Sequence, residues 1–103
     1  MSTEYNDNRI SLYVAQQGKC SVTNEILEIG SMEIHHKIPK KMGGKDKYDN
    51  LIFVTANIHK LIHANTPEVI EKYLQQCKEV KINLKLLNQL RKLVGNCKIL
   101  VNK

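Results

Sequence analysis

All four histidines of the chain, His35, His36, His59 and His63, fall within one short stretch, two at the end of a strand-like run and two on a helix-like run. In "MEIHH", Met32, Ile34 and His36 alternate with Glu33 and His35 at period two, the signature of a half-buried strand. In "TANIHKLIH", Ile58, Leu61 and Ile62 follow the i, i+3, i+4 rule behind a Thr55 cap, and His59 and His63 lie four apart on an adjacent row. Between them, "KMGGKDKYDN" is a glycine-containing loop, and "LIFV" at 51–54 is a brief apolar strand able to return alongside 32–36. A strand, loop, strand, helix order of this kind sets His35 against His59 and His63.

The flanks read as helices. Asn6 or Asp7 can cap a helix over about 7–17 with Ile10, Tyr13, Val14 and Gln17 on one stripe, ended by Gly18 in a left-handed conformation. "KCSVTNE" is a turn, and Ile26, Leu27 and Ile29 precede Gly30-Ser31, which predicts a short hairpin with 32–36. Thr66 and Pro67 open a helix whose Val69, Ile70, Tyr73, Leu74 and Cys77 share a face. A last helix over about 83–94 carries Leu84, Leu87, Leu90, Leu93 and Val94 and stops at Gly95, leaving "NCKILVNK" as an edge strand or a loose end. Tyr5, Tyr13, Tyr48, Phe53 and Tyr73 are assigned to the core, since most occupy apolar-stripe positions.

A length of 103 residues with 42% hydrophobic content suits a single domain, residues 1–103, with one core. No apolar run approaches the roughly 20 residues that span a bilayer, and the N-terminus lacks a basic segment followed by an apolar one, so a cytoplasmic protein with no membrane partner is expected. Cys20, Cys77 and Cys97 are an odd number at wide spacing; they read as reduced, small buried hydrophobes rather than as a disulfide framework or a metal set.

The net charge of +6 is unevenly spread. Residues 1–36 hold two basic and five acidic side chains, 37–60 six and two, and 61–103 eight and three. The positive field begins directly after the paired histidines, and a lysine-rich surface attracts polyanions through counterion release.

Imidazole nitrogens suit a divalent transition metal or, with water in the other positions, magnesium. His36, adjacent to His35 on a strand, projects to the opposite side, and Pro39 keeps Ile38 extended. A histidine there can flank a metal-held group without ligating the ion and take a proton from water.

The stretch "EIHHKIPKKMGGKDKYDNLIFVTANIHKLIH" resembles the HNH endonuclease motif. It has the histidine pair, then Asn50, then His59, at the motif's spacing. From about Asn6 to Leu100 the chain further resembles the C-terminal HNH domain of bacterial group II intron-encoded reverse transcriptase/maturase proteins, through "NDNRISLYVAQQGKC", "HHKIP", "HKLIHA" and "LRKLVGN". The resemblance implies an α+β fold with a ββα-metal (His-Me finger) core over 32–64, one helix before it and a helical extension over 66–95. It also implies a metal-dependent nuclease that nicks one DNA strand, with intron RNA and a reverse transcriptase/maturase as further partners. Carried over by position, His35 and His59 hold the ion, with His63 as third ligand or phosphate contact. His36 is the general base and Asn50 pins the loop that orients it. Lys37, Lys40, Lys41, Lys45, Lys47 and Lys60 grip flanking phosphates. Magnesium or manganese is the expected ion, with zinc and nickel compatible.

Two departures from that pattern stand out. The first knuckle of a structural zinc site would need paired cysteines, but this chain has Cys20-Ser21-Val22-Thr23, and Ile58 stands where another cysteine would precede the helix histidine. A structural zinc is therefore not expected, and packing of the last two helices should take its place. The rival reading is a non-catalytic module in which the histidines hold a structural metal and the lysines bind nucleic acid, or a separated remnant of an intron-encoded protein. A structural zinc site is closed and four-coordinate, whereas catalysis needs an open position.

Overall fold

The apolar run Leu51-Ile52-Phe53-Val54 is buried at every position, which a small sheet permits only if its faces and its free edge are all covered. The computed structural model, which describes residues 2–100, shows how. In chain order it has α1 (Thr3–Ala15), β1 (Met32–His36), 3-10 turns at Lys40–Met42 and Tyr48–Asn50, β2 (Leu51–Thr55), α2 (Ala56–His63), α3 (Pro67–Gln76) and α4 (Leu84–Leu93). The small α+β unit centres on an antiparallel pair, β1 with β2, in the register Ile34 to Phe53, His35 to Ile52 and His36 to Leu51. β2 runs through Thr55 directly into α2, whose Ile58, Leu61 and Ile62 are buried beneath the sheet as their spacing predicts.

The free edge of β2 is closed by side chains. Gln16 Nε2 donates to the Phe53 carbonyl at 3.0 Å, and Gln16 Oε1 accepts from the Phe53 N–H at 3.0 Å. Ser21 adds its own N–H and hydroxyl to the same carbonyl. An amide side chain thus does what a third strand would do for an otherwise open edge.

That role for Gln16 corrects the expectation for the first helix. It spans Thr3–Ala15, not 7–17, and Ser2 rather than Asn6 or Asp7 caps it, accepting from the Tyr5 N–H. Its inward face carries Tyr5, Asn8, Leu12 and Gln16, while Ile10 and Val14 are 63% and 69% exposed. An apolar-stripe reading weighs only hydrophobic residues, whereas this helix is seated largely by hydrogen bonds from Asn8 and Gln16. Gln17 lies past its end, and the turn is made by Gln17 and Gly18 together, both at positive φ.

The hairpin expected from 26–29 is likewise absent. Ile26 and Ile29 are exposed and a single Lys19 to Ile26 bridge is all that forms there, while the expected pairing of 32–36 with 51–54 is present as β1 with β2. Among the aromatics, Phe53 is buried, but Tyr13 and Tyr48 are about two-fifths exposed, contrary to their assignment to the core. Cys20 and Cys77 are buried as expected of small hydrophobes, and Cys97 is exposed, which that reading did not anticipate.

The last three helices follow their sequence signals, with Thr55, Thr66 and Asn83 accepting from the N–H groups of Ile58, Val69 and Leu86. Residues 96–100 form no strand; Asn88 ties them down through the Ile99 N–H at 2.7 Å and carbonyl at 3.0 Å. The rest of that expectation, Val101–Lys103, lies outside the described residues. Among the described residues no helix is long and apolar enough to cross a membrane.

An eight-residue helix such as α2 has little stability of its own and ends in carbonyls without partners. Here they are met by Arg91, only 2% exposed, whose guanidinium donates to the carbonyls of Leu61 and of Ala64 (2.7 Å), with Nε on the Cys97 carbonyl at 2.8 Å. Asn96 Nδ2 takes the Ile62 carbonyl at 2.8 Å. The negative end of the α2 dipole faces the buried cation. Replacing Arg91 by Ala strands several buried acceptors and should lower unfolding free energy by about 3 kcal/mol. Arg91→Lys should recover little of it, because one ammonium cannot fork across three carbonyls. Urea denaturation checks both; an Arg91→Ala variant within error of wild type would remove this role.

Candidate active site

Strand alternation and the β2–α2 junction build the site. His35 sits on the inward face of β1, 2% exposed, opposite the first two turns of α2. His59 and His63, one turn apart on that helix, point back at it. The three rings meet edge to face, with centroids 5.2 Å (His35 to His59), 5.2 Å (His35 to His63) and 4.9 Å (His59 to His63) apart. One ligand nitrogen from each lies within 4.8 Å of the others, so the three could share one ion. His63, the third ligand or phosphate contact of the sequence reading, joins the cluster.

The cluster's chemistry points the same way. Burial, then the neighbouring His59 and His63, push the His35 pKa from 6.5 down to about 3, so its ring is neutral at physiological pH. Its Nε2 is buried with no hydrogen-bond partner. A neutral imidazole with an orphaned, buried nitrogen among two others is a donor set that could hold a metal ion. Burial and His59 also lower the His63 pKa, with Lys41 and Lys60 adding positive field. Glu33, two residues before His35 on the same face of β1, accepts from His59 Nδ1 at 2.6 Å. This fixes the His59 ring and leaves its Nε2 available to an ion. The sequence reading assigned Glu33 no role, although its period-two relation to His35 was the available signal.

His36 faces the other way. Its ring, half-buried, lies parallel to that of Tyr5 at 6.0 Å, and Nε2 is 2.8 Å from Asp46 Oδ1. The hydrogen bond from His36, followed by those of Lys40 and Ser2, holds the Asp46 carboxyl below its usual pKa. The sequence carries no signal for Asp46 here and points to Tyr5 only as a core residue; both reach His36 through tertiary folding.

Asn50 is a clamp. Its Oδ1 accepts from the Ile38 N–H at 2.9 Å, its Nδ2 donates to the carbonyls of Ile38 (3.1 Å) and Lys45 (2.9 Å), and its own carbonyl accepts from the Lys37 N–H at 2.8 Å. The two glycines of the loop serve it differently. Gly43 takes a φ of 95°, while Gly44 lies so close to Ile38 that a Cβ would stand 1.7 Å from the Ile38 oxygen and 3.0 Å from Asn50 Nδ2.

The lysines separate into groups. Lys41 and Lys60 act electrostatically on His63, and Lys40 pairs with Asp46 at 3.2 Å. Lys45 and Lys47 are exposed on the loop, and Lys37 borders a hollow with Gln16, Ser21 and Tyr48 on the α1 side. Among the described residues, the three-histidine cluster is the group of three or more metal-type side chains, and Cys20, Cys77 and Cys97 do not assemble into another.

A family model described as HNH endonuclease matches residues 19–64, the segment that holds both strands, the glycine loop and α2. A stretch of 31 residues is 52% identical to the "Probable mobile endonuclease C" of Enterobacteria phage T4, covering 30% of this chain and 15% of the phage protein. The chain thus spans only a small part of that relative's length. No solved structure matches the chain. The family match and the endonuclease relative support nuclease chemistry. Neither is a group II intron reverse transcriptase or maturase.

Because folded His35 stays neutral down to about pH 3 while the unfolded imidazole protonates near 6.5, the unfolded state binds more protons in that window. In EDTA, stability should therefore fall as pH drops from 6.5 toward 3 and be unaffected by this group above 6.5. His35→Leu should flatten that slope in urea-midpoint measurements; equal slopes in both proteins would contradict the buried neutral ring.

Proposed function

We propose that this chain is a metal-dependent endonuclease that hydrolyses DNA phosphodiesters, cutting one strand. The observation carrying the proposal is the division of labour at the end of β1: His35 joins a three-imidazole cluster with an orphaned nitrogen, and His36, next in sequence, faces the opposite side with a carboxylate of its own. His35, His59 and His63 would hold the divalent ion, magnesium or manganese first, with zinc and nickel also suited to imidazoles. When bound, such an ion supplies Lewis acidity toward a phosphate oxygen and charge stabilisation for the departing 3′ oxygen.

The chain's own residues do the rest. His36 accepts the proton of the attacking water as the water oxygen bonds to phosphorus and the P–O3′ bond breaks, its electron pair leaving with the 3′ oxygen. Asn50 keeps the loop, and with it the His36 backbone, in place. Lys41 and Lys60, nearest the cluster, contact flanking phosphates, with Lys37, Lys40, Lys45 and Lys47 extending the basic surface. No fourth protein ligand stands with the three histidines among the described residues, which favours an open catalytic site over a closed structural one.

Residues 32–64 serve as the nuclease core and 66–95 as its helical support. A role in group II intron mobility, with intron RNA and a reverse transcriptase/maturase as partners, is supported by motif resemblance alone. The word "mobile" in the phage relative's name supports a mobile-element setting more generally. Free thiols at Cys20, Cys77 and Cys97 support a cytoplasmic location.

Supercoiled plasmid incubated with the protein and magnesium or manganese should convert to open circles, and EDTA should stop it. His36→Ala should lose about 10²–10⁴-fold in rate while keeping metal affinity. A His36→Ala protein that cuts at wild-type rate would remove His36 as the base.

A further inference from the structure

We propose that Asp46 is the positioning residue for His36: its carboxylate, anchored by α1, holds the ring with the proton on Nε2 and the lone pair on Nδ1. The inference rests on the assignment of His36 as the base and adds to it the group that fixes which nitrogen takes the proton.

The geometry is specific. Asp46 Oδ1 stands 2.8 Å from His36 Nε2, and a carboxylate can only accept there, so Nε2 carries the hydrogen and Nδ1 is left as the acceptor. Asp46 is held in turn from several directions. Ser2 Oγ donates to Oδ2 at 3.3 Å, Lys40 Nζ reaches the carboxylate at 3.2 Å, and Asn8 Nδ2 donates to the Asp46 backbone carbonyl at 2.8 Å. Ser2 and Asn8 belong to α1 and its cap, and so does the Tyr5 ring that lies parallel to His36. One residue before Asp46, the Lys45 carbonyl is gripped by Asn50. The His36 ring is therefore fixed by strand pairing with Leu51, along one edge by Asp46 and on one face by Tyr5.

An exposed ion pair between Lys40 and Asp46 would by itself contribute little. Anchoring one half-buried carboxylate by Ser2, by Lys40 and, through its backbone, by Asn8 goes well beyond such a pair, and all of it converges on the acceptor of a single imidazole proton. The α1 residues involved precede the 19–64 segment matched to the HNH endonuclease family, so this part of the site is built from outside the matched core.

Protein labelled with ¹⁵N-histidine, metal-free and at mildly alkaline pH, tests this without catalysis. Long-range ¹H–¹⁵N correlations should show His36 as the Nε2–H tautomer, and Asp46→Ala should convert it to a mixture. In the plasmid assay Asp46→Ala should lower kcat about 10–100-fold with KM changed less than about twofold, and Asp46→Glu should recover part of the loss. A wild-type spectrum with His36 in the Nδ1–H form would overturn the proposal, whatever the variants do. So would full activity of Asp46→Ala when His36→Ala is inactive. Wild-type cutting by His36→Ala would instead sink the base assignment and the proposal with it, and is distinguished by that control.

Discussion

The register of β1 against β2 is the constraint on which everything else depends. Side chains alternate across a strand, so pairing His35 with Ile52 turns His35 inward toward α2 and sends His36 outward toward Asp46. A slip of one residue would exchange the two histidines, turning His36 into the cluster and His35 to the loop side. The register is held from both sides: Gln16 and Ser21 close the outer edge of β2 at Phe53, and Asn50 fixes the loop that joins the strands. Gln16, Ser21 and Asn50, scattered along the sequence, all bear on this one alignment.

The second dependence is the end of α2. The helix that presents His59 and His63 is two turns long, and its free carbonyls are taken up by a buried arginine from α4 and by Asn96. The sequence pattern anticipated that the last two helices would take the place of a metal staple at the Cys20 knuckle. In the structure one guanidinium and one amide, Arg91 and Asn96, carry the end of α2, with the Leu87 and Leu90 side chains of α4 buried in the common core. The knuckle itself is a backbone turn, the Cys20 N–H on the Glu25 carbonyl and the Asn24 N–H on that of Cys20.

Much of this was legible in the sequence because it is local. The period of two in "MEIHH", the period of 3.6 in "NIHKLIH" and the caps Thr55 and Thr66 are short-range signals, and the pairing of 32–36 with 51–54 followed from them. The cluster of His35 with His59 and His63 was legible for the same reason. What escaped was tertiary and polar. α1 was given the wrong face because Ile10 and Val14 outweigh Asn8 and Gln16 on any hydrophobic scale, although the polar pair makes the contacts. Residues 26–29 have a strand's composition, but Ile26 and Ile29 stay exposed and the segment makes a single bridge, Ile26 with Lys19. The contacts of Asp46, Tyr5 and Arg91 had no local signal, since each acts on a residue that only the fold brings near.

The proposed nuclease requires an open metal site made of three imidazoles, distinct from the base beside it. X-ray absorption at the metal edge of protein loaded with one equivalent of manganese or zinc tests it most directly. One ion per chain is expected, with three imidazole nitrogens and the remaining positions filled by oxygen from solvent, and that signature should be lost in His35→Ala but not in His36→Ala. Thiolate ligation, a fourth imidazole from His36, or failure to bind an ion at all would contradict it.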